Sequence, residues 1–248
     1  TLELLKVTSE NCEIPIVTEN YLNDDSNSML FSRSNATFED ILESDLCLTI
    51  GTNVRFEAAL LNVRLNKRRR RGNFVKASIG LAENLNYKNE YLGNSLKTLL
   101  DIVEGKHPFC KKLYKAEKPV IILGTSLKKR VDSKTIENLI TSLSKNCKIV
   151  DENWLGINFL PVTPNSVGEA FLGVSQNAKV DLSNVNFAYC VGVDFPEKFI
   201  NKFNKNTFIA VQTPYASVSL KNVNLILPSN AFTEKEGTFL NLEGRLQK

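Results

Sequence analysis

The sequence predicts an α/β fold made of two stacked units with mostly parallel sheets. Three observations carry that expectation. Short apolar runs end on glycine at Gly51, Gly80, Gly124 and Gly192. Sequence with helical spacing follows several of them, so strands and helices alternate along the chain. Most of the runs are apolar at nearly every position, as strands buried on both faces are. A length of 248 residues, 42% apolar and 23% charged, suits one large or two small domains.

In chain order, residues 1–40 read as polar and irregular. They open on an amphipathic start, Thr1-Leu2-Glu3-Leu4-Leu5-Lys6, and carry a loop signal at Asp24-Asp25-Ser26-Asn27-Ser28. The start lacks an initiator Met and the basic, apolar character of a signal peptide, so a trimmed beginning is expected. Residues 38–43 predict a short helix capped by Asn35 or Thr37. Leu46-Cys47-Leu48-Thr49-Ile50 predicts a buried parallel strand. A helix from about Arg55 to Arg68 is expected next, with Phe56, Ala59, Leu60, Val63 and Lys67 along one stripe. Residues 74–80 predict a second strand, and 95–103 a helix stopped at Gly105.

A break near residues 105–118 then divides the chain into a first unit, 1–112, and a second, 113–248. The second unit is expected to hold a strand at 118–124, a helix near 133–143, and a strand at 186–192. A helix at 196–203, strands at 207–212 and 223–228, and a wrapping tail complete it. Glycines at the carboxyl ends of strands let the chain turn sharply where open α/β sheets place ligands, which makes both units Rossmann-like.

Composition and motifs exclude several chemistries. A formal charge of +4 over this length is too weak to imply nucleic-acid or membrane binding. No apolar run approaches the ~18 residues of a membrane span. Cys12, Cys47, Cys110, Cys147 and Cys190 are widely spaced, whereas zinc and iron–sulfur sites use close pairs. Their odd number fits a reducing compartment, and Cys47 and Cys190 lie in apolar runs as small buried hydrophobes. His107 is the sole histidine, in a stretch of loop character, and reads as a packing or surface residue. The chain has no G-x-S-x-G, P-loop or G-x-G-x-x-G motif.

Three segments remain as candidates. Gly51-Thr52-Asn53 presents backbone N–H groups at a helix start, either as an anion cradle or as a plain capped turn. The tail from Ala231 to Arg245 either closes over a nucleotide-like ligand or packs back on the sheet, with Phe232 and Phe239 as aromatic anchors. Lys67-Arg68-Arg69-Arg70-Arg71 reads as a solvated helix end, a contact for an acidic partner, or a nucleic-acid patch.

Asp45 to Ala58, followed by Asn62-Val63-Arg64, closely resembles the large iron–sulfur subunit family of respiratory complex I: the 75 kDa subunit of eukaryotes and its bacterial counterpart. Similar stretches follow in order: Tyr91-Leu92-Gly93-Asn94-Ser95, Gly105-Lys106-His107-Pro108-Phe109, Lys118 to Gly124, Leu227-Pro228, Phe232-Thr233-Glu234-Lys235 and Asn241 to Gln247. The resemblance covers nearly the whole chain. It departs from the family pattern at Val54, where Pro is common, and at Lys67–Arg71, where a mixed polar stretch is usual.

The resemblance implies the family's C-terminal region, which has a molybdopterin-oxidoreductase-like fold and acts as a non-catalytic segment of the peripheral arm. In molybdopterin enzymes the equivalent turn and tail approach a pterin dinucleotide, and complex I keeps the scaffold without it. No catalytic, cofactor or metal role is therefore assigned to Gly51, Asn53, Glu236, Gly237, Glu243 or Arg245; backbone geometry and packing is their expected job. No cofactor is expected in this chain. Iron–sulfur clusters are expected in a cysteine-rich, ferredoxin-like N-terminal partner part and in neighbouring subunits. The implied partners are that part and other peripheral-arm subunits, with no nucleic acid and no membrane span. The implied location is the matrix side of the mitochondrial inner membrane, or the cytoplasmic side of a bacterial one. The alternatives are a fragment of a molybdopterin-dependent oxidoreductase and a nucleic-acid module acting through Lys67–Arg71.

Overall fold

A computed structural model describes residues 1–17, 29–161, 163, 165–174, 180–193, 200–215, 220 and 222–248. In chain order its helices and strands are α1 (Leu2–Cys12), α2 (Phe38–Glu43), β1 (Leu46–Ile50), α3 (Val54–Glu57), α4 (Ala59–Arg70), β2 (Val75–Ile79) and β3 (Glu90–Gly93). Next come α5 (Leu96–Val103), α6 (Cys110–Lys115), β4 (Pro119–Gly124), α7 (Thr125–Lys128), α8 (Ser133–Asn146), β5 (Val150–Asp151), β6 (Trp154–Leu155) and β7 (Ile157–Leu160). The chain closes with α9 (Ser166–Phe171), β8 (Phe187–Val191), β9 (Phe208–Thr213), β10 (Leu225–Pro228), β11 (Phe239–Leu240) and β12 (Leu246–Gln247).

Local chemistry starts and stops these elements much as expected. Thr37, not Asn35, caps α2: its hydroxyl accepts from the Asp40 N–H at 3.1 Å while the Asp40 carboxylate accepts from the Thr37 N–H at 2.8 Å. Ser95 caps α5, and Gly105 follows its end at φ +76°. The expected strands at 118–124, 186–192, 207–212 and 223–228 are β4, β8, β9 and β10, within a residue or two.

The main sheet is wound in two directions. Its order is β3-β2-β1-β4-β7, and every pairing is parallel. From β1 the chain moves outward through α4 to β2 and then β3; from β4 it moves the other way through α8 to β7. Right-handed crossovers run in opposite directions must lie on opposite faces. Leu61 and Leu65 of α4 accordingly pack with Cys47, Val120 and Ile122 on one face. Leu99, Leu113, Ile136, Ile140 and Leu143 of α5, α6 and α8 pack with Leu46, Leu48, Ile50, Ile121 and Leu123 on the other. Burial holds the Cys47 thiol protonated, pushed up to about 12.

Several expectations are corrected. The 112/113 division does not follow the sheets, because β4, expected to open the second unit, is a central strand of the first sheet beside β1. The expected break at 105–118 contains α6, whose Cys110 and Leu113 are buried with Phe109. Residues 1–40 are not wholly irregular, since α1 spans Leu2–Cys12 and buries no residue. The Asp24–Ser28 loop and residues 196–199 of the expected helix lie outside the described residues. Cys190 is half-buried, not fully buried.

The largest correction concerns the helix expected at 55–68. It is broken at Ala58 into α3 and α4, and the stripe read as its apolar face points outward. Phe56 is 77% exposed, Leu60 78%, and Val63 is exposed too, while Leu61 and Leu65 face the sheet. Leu61→Ala is expected to cost about 2–5 kcal/mol through a core cavity, and Leu60→Ala less than about 0.5 kcal/mol. Urea unfolding of the two variants checks the assignment of faces.

Candidate functional site

In a doubly wound sheet, ligands bind outside the carboxyl ends of the two strands where the winding reverses. Here those strands are β1 and β4, which end on Gly51 and Gly124. The sequence singled out both glycines, and the fold brings them together with Gly80 of β2.

The crevice between them is closed by the chain itself. A Cβ on Gly124 would lie 2.2 Å from the Gly51 carbonyl oxygen, so the two backbones are in direct contact. A Cβ on Gly80 would lie 3.3 Å from the Gly51 nitrogen. Gly51, at φ +62°, donates its N–H to Ile79 O at 2.9 Å, and its carbonyl accepts from the Ser126 hydroxyl. Leu127 of α7 lies over it, 2.7 Å from where a Cβ would stand.

Three donors of the turn are bonded within the chain. Asn53 caps α3, accepting from the Arg55 N–H at 3.1 Å. The Asn53 N–H donates to one Glu57 carboxylate oxygen at 2.9 Å, and the Thr52 hydroxyl to the other at 3.0 Å. The anion in the expected cradle is thus this chain's own Glu57. Glu57→Ala is expected to cost about 1 kcal/mol, in the range of a lost cap. A thermal melt against the parent checks it.

The tail does not close over the three corners. Its hydrogen bonds run to residues 34 and 38 and to Asn165: Ser34 N–H to Leu242 O at 2.9 Å, Phe38 N–H to the Glu243 carboxylate at 2.5 Å, and Leu240 N–H to Asn165 Oδ1 at 2.9 Å. Glu243 therefore sits at the first turn of α2, and Gly244 lets the chain pass Arg33, whose guanidinium would be 2.6 Å from a Cβ there. The Arg245 N–H donates to Asn241 Oδ1 at 2.7 Å to close the β11–β12 hairpin. Glu236 is exposed. The expected aromatic anchors are not anchors: Phe232 and Phe239 are exposed, and Leu242 packs on the core instead.

Two other candidates resolve into structure. His107 Nδ1 accepts from the Phe109 N–H at 3.2 Å, a turn contact ahead of α6. In the basic run, Arg68 lies over Phe74 and bonds Ser44 O, and Arg69 lies over Tyr87.

Sequence reasoning missed a buried polar cluster under the 81–89 loop. Lys76 Nζ is 3.2 Å from the Glu83 carboxylate, and neither side chain is solvent-exposed. Lys76 also donates to Thr49 Oγ1 at 2.7 Å and Ala77 O at 3.1 Å. Asn89 bonds Ser78 Oγ at 2.8 Å, and the Tyr87 hydroxyl donates to Asn62 of α4 at 2.5 Å. A lysine inside an otherwise buried strand was the available signal. A separate cleft beside α7 and α8, lined by Phe31, Leu127, Lys128, Ile136 and Phe159, has a cavity volume of about 10 Å³. That is about the room one water molecule needs, far below a ligand pocket of about 300–1,000 Å³. Among the described residues no three His, Cys, Asp or Glu side chains gather as a metal site requires.

The arrangement is that of a doubly wound, parallel α/β scaffold. The molybdopterin oxidoreductase family model matches residues 8–248, and the chain belongs to that family. It is 42% identical over 220 residues to the NADH-ubiquinone oxidoreductase 75 kDa subunit of Reclinomonas americana, an alignment covering 86% of this chain and 31% of that protein. It is 34% identical to an NADH-quinone oxidoreductase subunit of Rickettsia typhi, over 86% of this chain and 31% of the relative. The chain thus spans about a third of the length of these relatives. A formyltransferase/hydrolase complex from Methylorubrum extorquens, solved with methylofuran, has a chain of the same fold: TM-score 0.60 at 12% identity, over 87% of this chain and 71% of that one. The residues at the glycine corners do not fit the pterin dinucleotide the family name implies, because Leu127 lies over Gly51 and Glu57 holds two of the turn's donors.

Proposed function

We propose that this chain is a non-catalytic structural segment of the large iron–sulfur subunit of respiratory complex I, bracing the peripheral arm through which electrons pass from NADH to quinone. One observation carries the reading: the switch-point crevice of a cofactor-binding scaffold is filled by Gly51, Gly124, Leu127 and Glu57 of the same chain. A scaffold so closed holds partners in place and binds no pterin. The identity to the Reclinomonas and Rickettsia proteins supports the complex.

In this reading the chain has no activity by itself and holds no cofactor. The iron–sulfur clusters belong to a cysteine-rich, ferredoxin-like N-terminal part and to neighbouring subunits, which are its partners. Its place is the matrix side of the mitochondrial inner membrane. The described helices include none long and apolar enough to cross a membrane.

Co-migration on a native gel tests the reading. The chain is expected to travel with an assembly that oxidises NADH and carries iron–sulfur clusters, and depleting it is expected to abolish the assembled form. Recovery as a separate species with stoichiometric molybdenum or tungsten would instead establish the molybdopterin-oxidoreductase fragment that the family match also allows.

A further inference from the structure

The second sheet is half of a doubly wound sheet. Its order is β10-β9-β8, all parallel, so the chain steps in one direction only, from β8 to β9 to β10. Right-handed crossovers made in one direction fall on one face. The described parts of the two connections agree: Ile200, Phe203, Leu220 and Val223 all pack with Cys190, Ile209 and Val211. The first sheet is covered on both faces because it is also wound the other way, through α8. The second has no such return among the described residues.

Among the described residues no helix packs on the opposite face. Pairing in register puts Phe187, Tyr189 and Val191 of β8 on one side with Phe208, Ala210 and Gln212 of β9 and Leu225 and Leu227 of β10. Phe187 and Phe208 stack at 6.0 Å, and Tyr189 bonds Gln212 at 2.6 Å. Yet Phe187, Tyr189, Phe208 and Leu225 are between 42% and 58% exposed. Parallel sheets are found almost only with both faces covered, and an apolar patch of this kind marks an interaction site.

The edge of this sheet is open as well. Phe208 N–H bonds Asn186 O, and Gly192 N–H bonds Gln212 O. By the two-residue period of a strand, the N–H groups of Phe187, Tyr189 and Val191 then point away from β9, toward an edge that no described strand pairs. Open edge and bare face adjoin on β8.

We propose that a strand–helix segment from polypeptide outside residues 1–248 completes this sheet. Its strand lies parallel beside β8, and its helix covers Phe187, Tyr189, Phe208 and Leu225. The strand is a short, nearly continuous apolar run and the helix carries apolar residues at i, i+3, i+4 and i+7, because those are the patterns that a central parallel strand and a sheet-covering helix require. The source is sequence equivalent to the two-thirds of the relatives that this chain does not span. The inference stands on the winding of the sheet, and the complex I reading supplies only where to look.

Photo-crosslinking in the assembled state tests it, with p-benzoylphenylalanine in place of Tyr189 in one variant and Phe208 in another. Both positions are expected to crosslink to one helical peptide outside residues 1–248, within two turns of each other. The Phe187, Tyr189 and Val191 amides are expected to exchange hydrogen at least tenfold more slowly in the assembly than in the separated chain. Crosslinks to lipid, to a second copy of this chain or to residues 1–248 would overturn the proposal, as would unchanged exchange at the three amides. Phe208→Asp is expected to leave the far-UV circular dichroism of the separated chain unchanged and to reduce assembly at least tenfold; full assembly of that variant would also overturn it. A chain that co-migrates with complex I but fails these tests sinks this inference alone. Loss of co-migration in the parent chain sinks the functional reading, and the crosslinks then still report what covers the face.

Discussion

Gly124→Ala is expected to destabilise the protein by about 3 kcal/mol or more, at the upper end of what an overpacked core costs. The added methyl would stand 2.2 Å from the Gly51 carbonyl oxygen and 2.8 Å from Gly51 C and Thr52 Cβ. Its nearest neighbours are backbone atoms, and they are fixed by the parallel pairing of β1 and β4. Relief would require the two central strands to part at their carboxyl ends. Backbone strain plays no part, since Gly124 sits at φ −88°, ψ 156°, which alanine adopts freely. For a chain of this size such a loss lowers the melting temperature by about 6–12 °C. Gly237→Ala is the matched control: only the Phe239 ring lies near, at 3.3 Å, and it is the end of a movable side chain. That change is expected to cost less than about 0.5 kcal/mol.

Lys76→Met is expected to cost about 3–5 kcal/mol, because it strands the Glu83 carboxylate without its counter-charge inside the protein. Both side chains are fully buried, and Lys76 gives the carboxylate a contact at 3.2 Å. Thr49 also donates to Glu83, and a neutral hydroxyl does not replace an ammonium. Removing both charges, as Lys76→Met with Glu83→Leu, is expected to recover most of the loss, since replacing a buried ion pair by apolar side chains is often neutral. Urea unfolding of the two single variants and the double variant measures the coupling. Additive losses would show that the pair does not act as a unit.

Much of the fold was legible because its signals are local. Leu46–Ile50, Pro119–Gly124 and the Thr37 cap follow from apolar runs, glycine and short polar side chains within a few residues. Sheet membership was not legible, since β4 pairs with β1 across more than 70 residues of chain and no local pattern records that pairing. Ile157–Leu160, with Asn158 in its middle, was not legible because the partners that satisfy its polar residue include the distant Ser34, Ala36 and Ile121. The outward stripe of α4 was misread for a different reason. Periodicity identifies an apolar face but not what covers it, and the break at Ala58 rotates Leu61 and Leu65 inward instead.

At the candidate site, the glycines could be read as turn formers, and of the two residues able to cap the helix, Thr52 and Asn53, it is Asn53 that does so. That Glu57 reaches back to fill the turn was not readable, because it depends on the four-residue length of α3. The sequence likewise could not show that Gly51 and Gly124 touch, a contact made by two strand ends.

The most direct test of the closed crevice is chemical analysis of the purified, assembled protein for pterin. Acid oxidation followed by fluorescence detection, with metal analysis alongside, gives pterin, molybdenum and tungsten per chain. The account predicts essentially none of the three at full NADH-oxidising competence of the assembly. About one pterin per chain would mean that Leu127 and Glu57 move off the glycine corners to admit it, and would contradict the account.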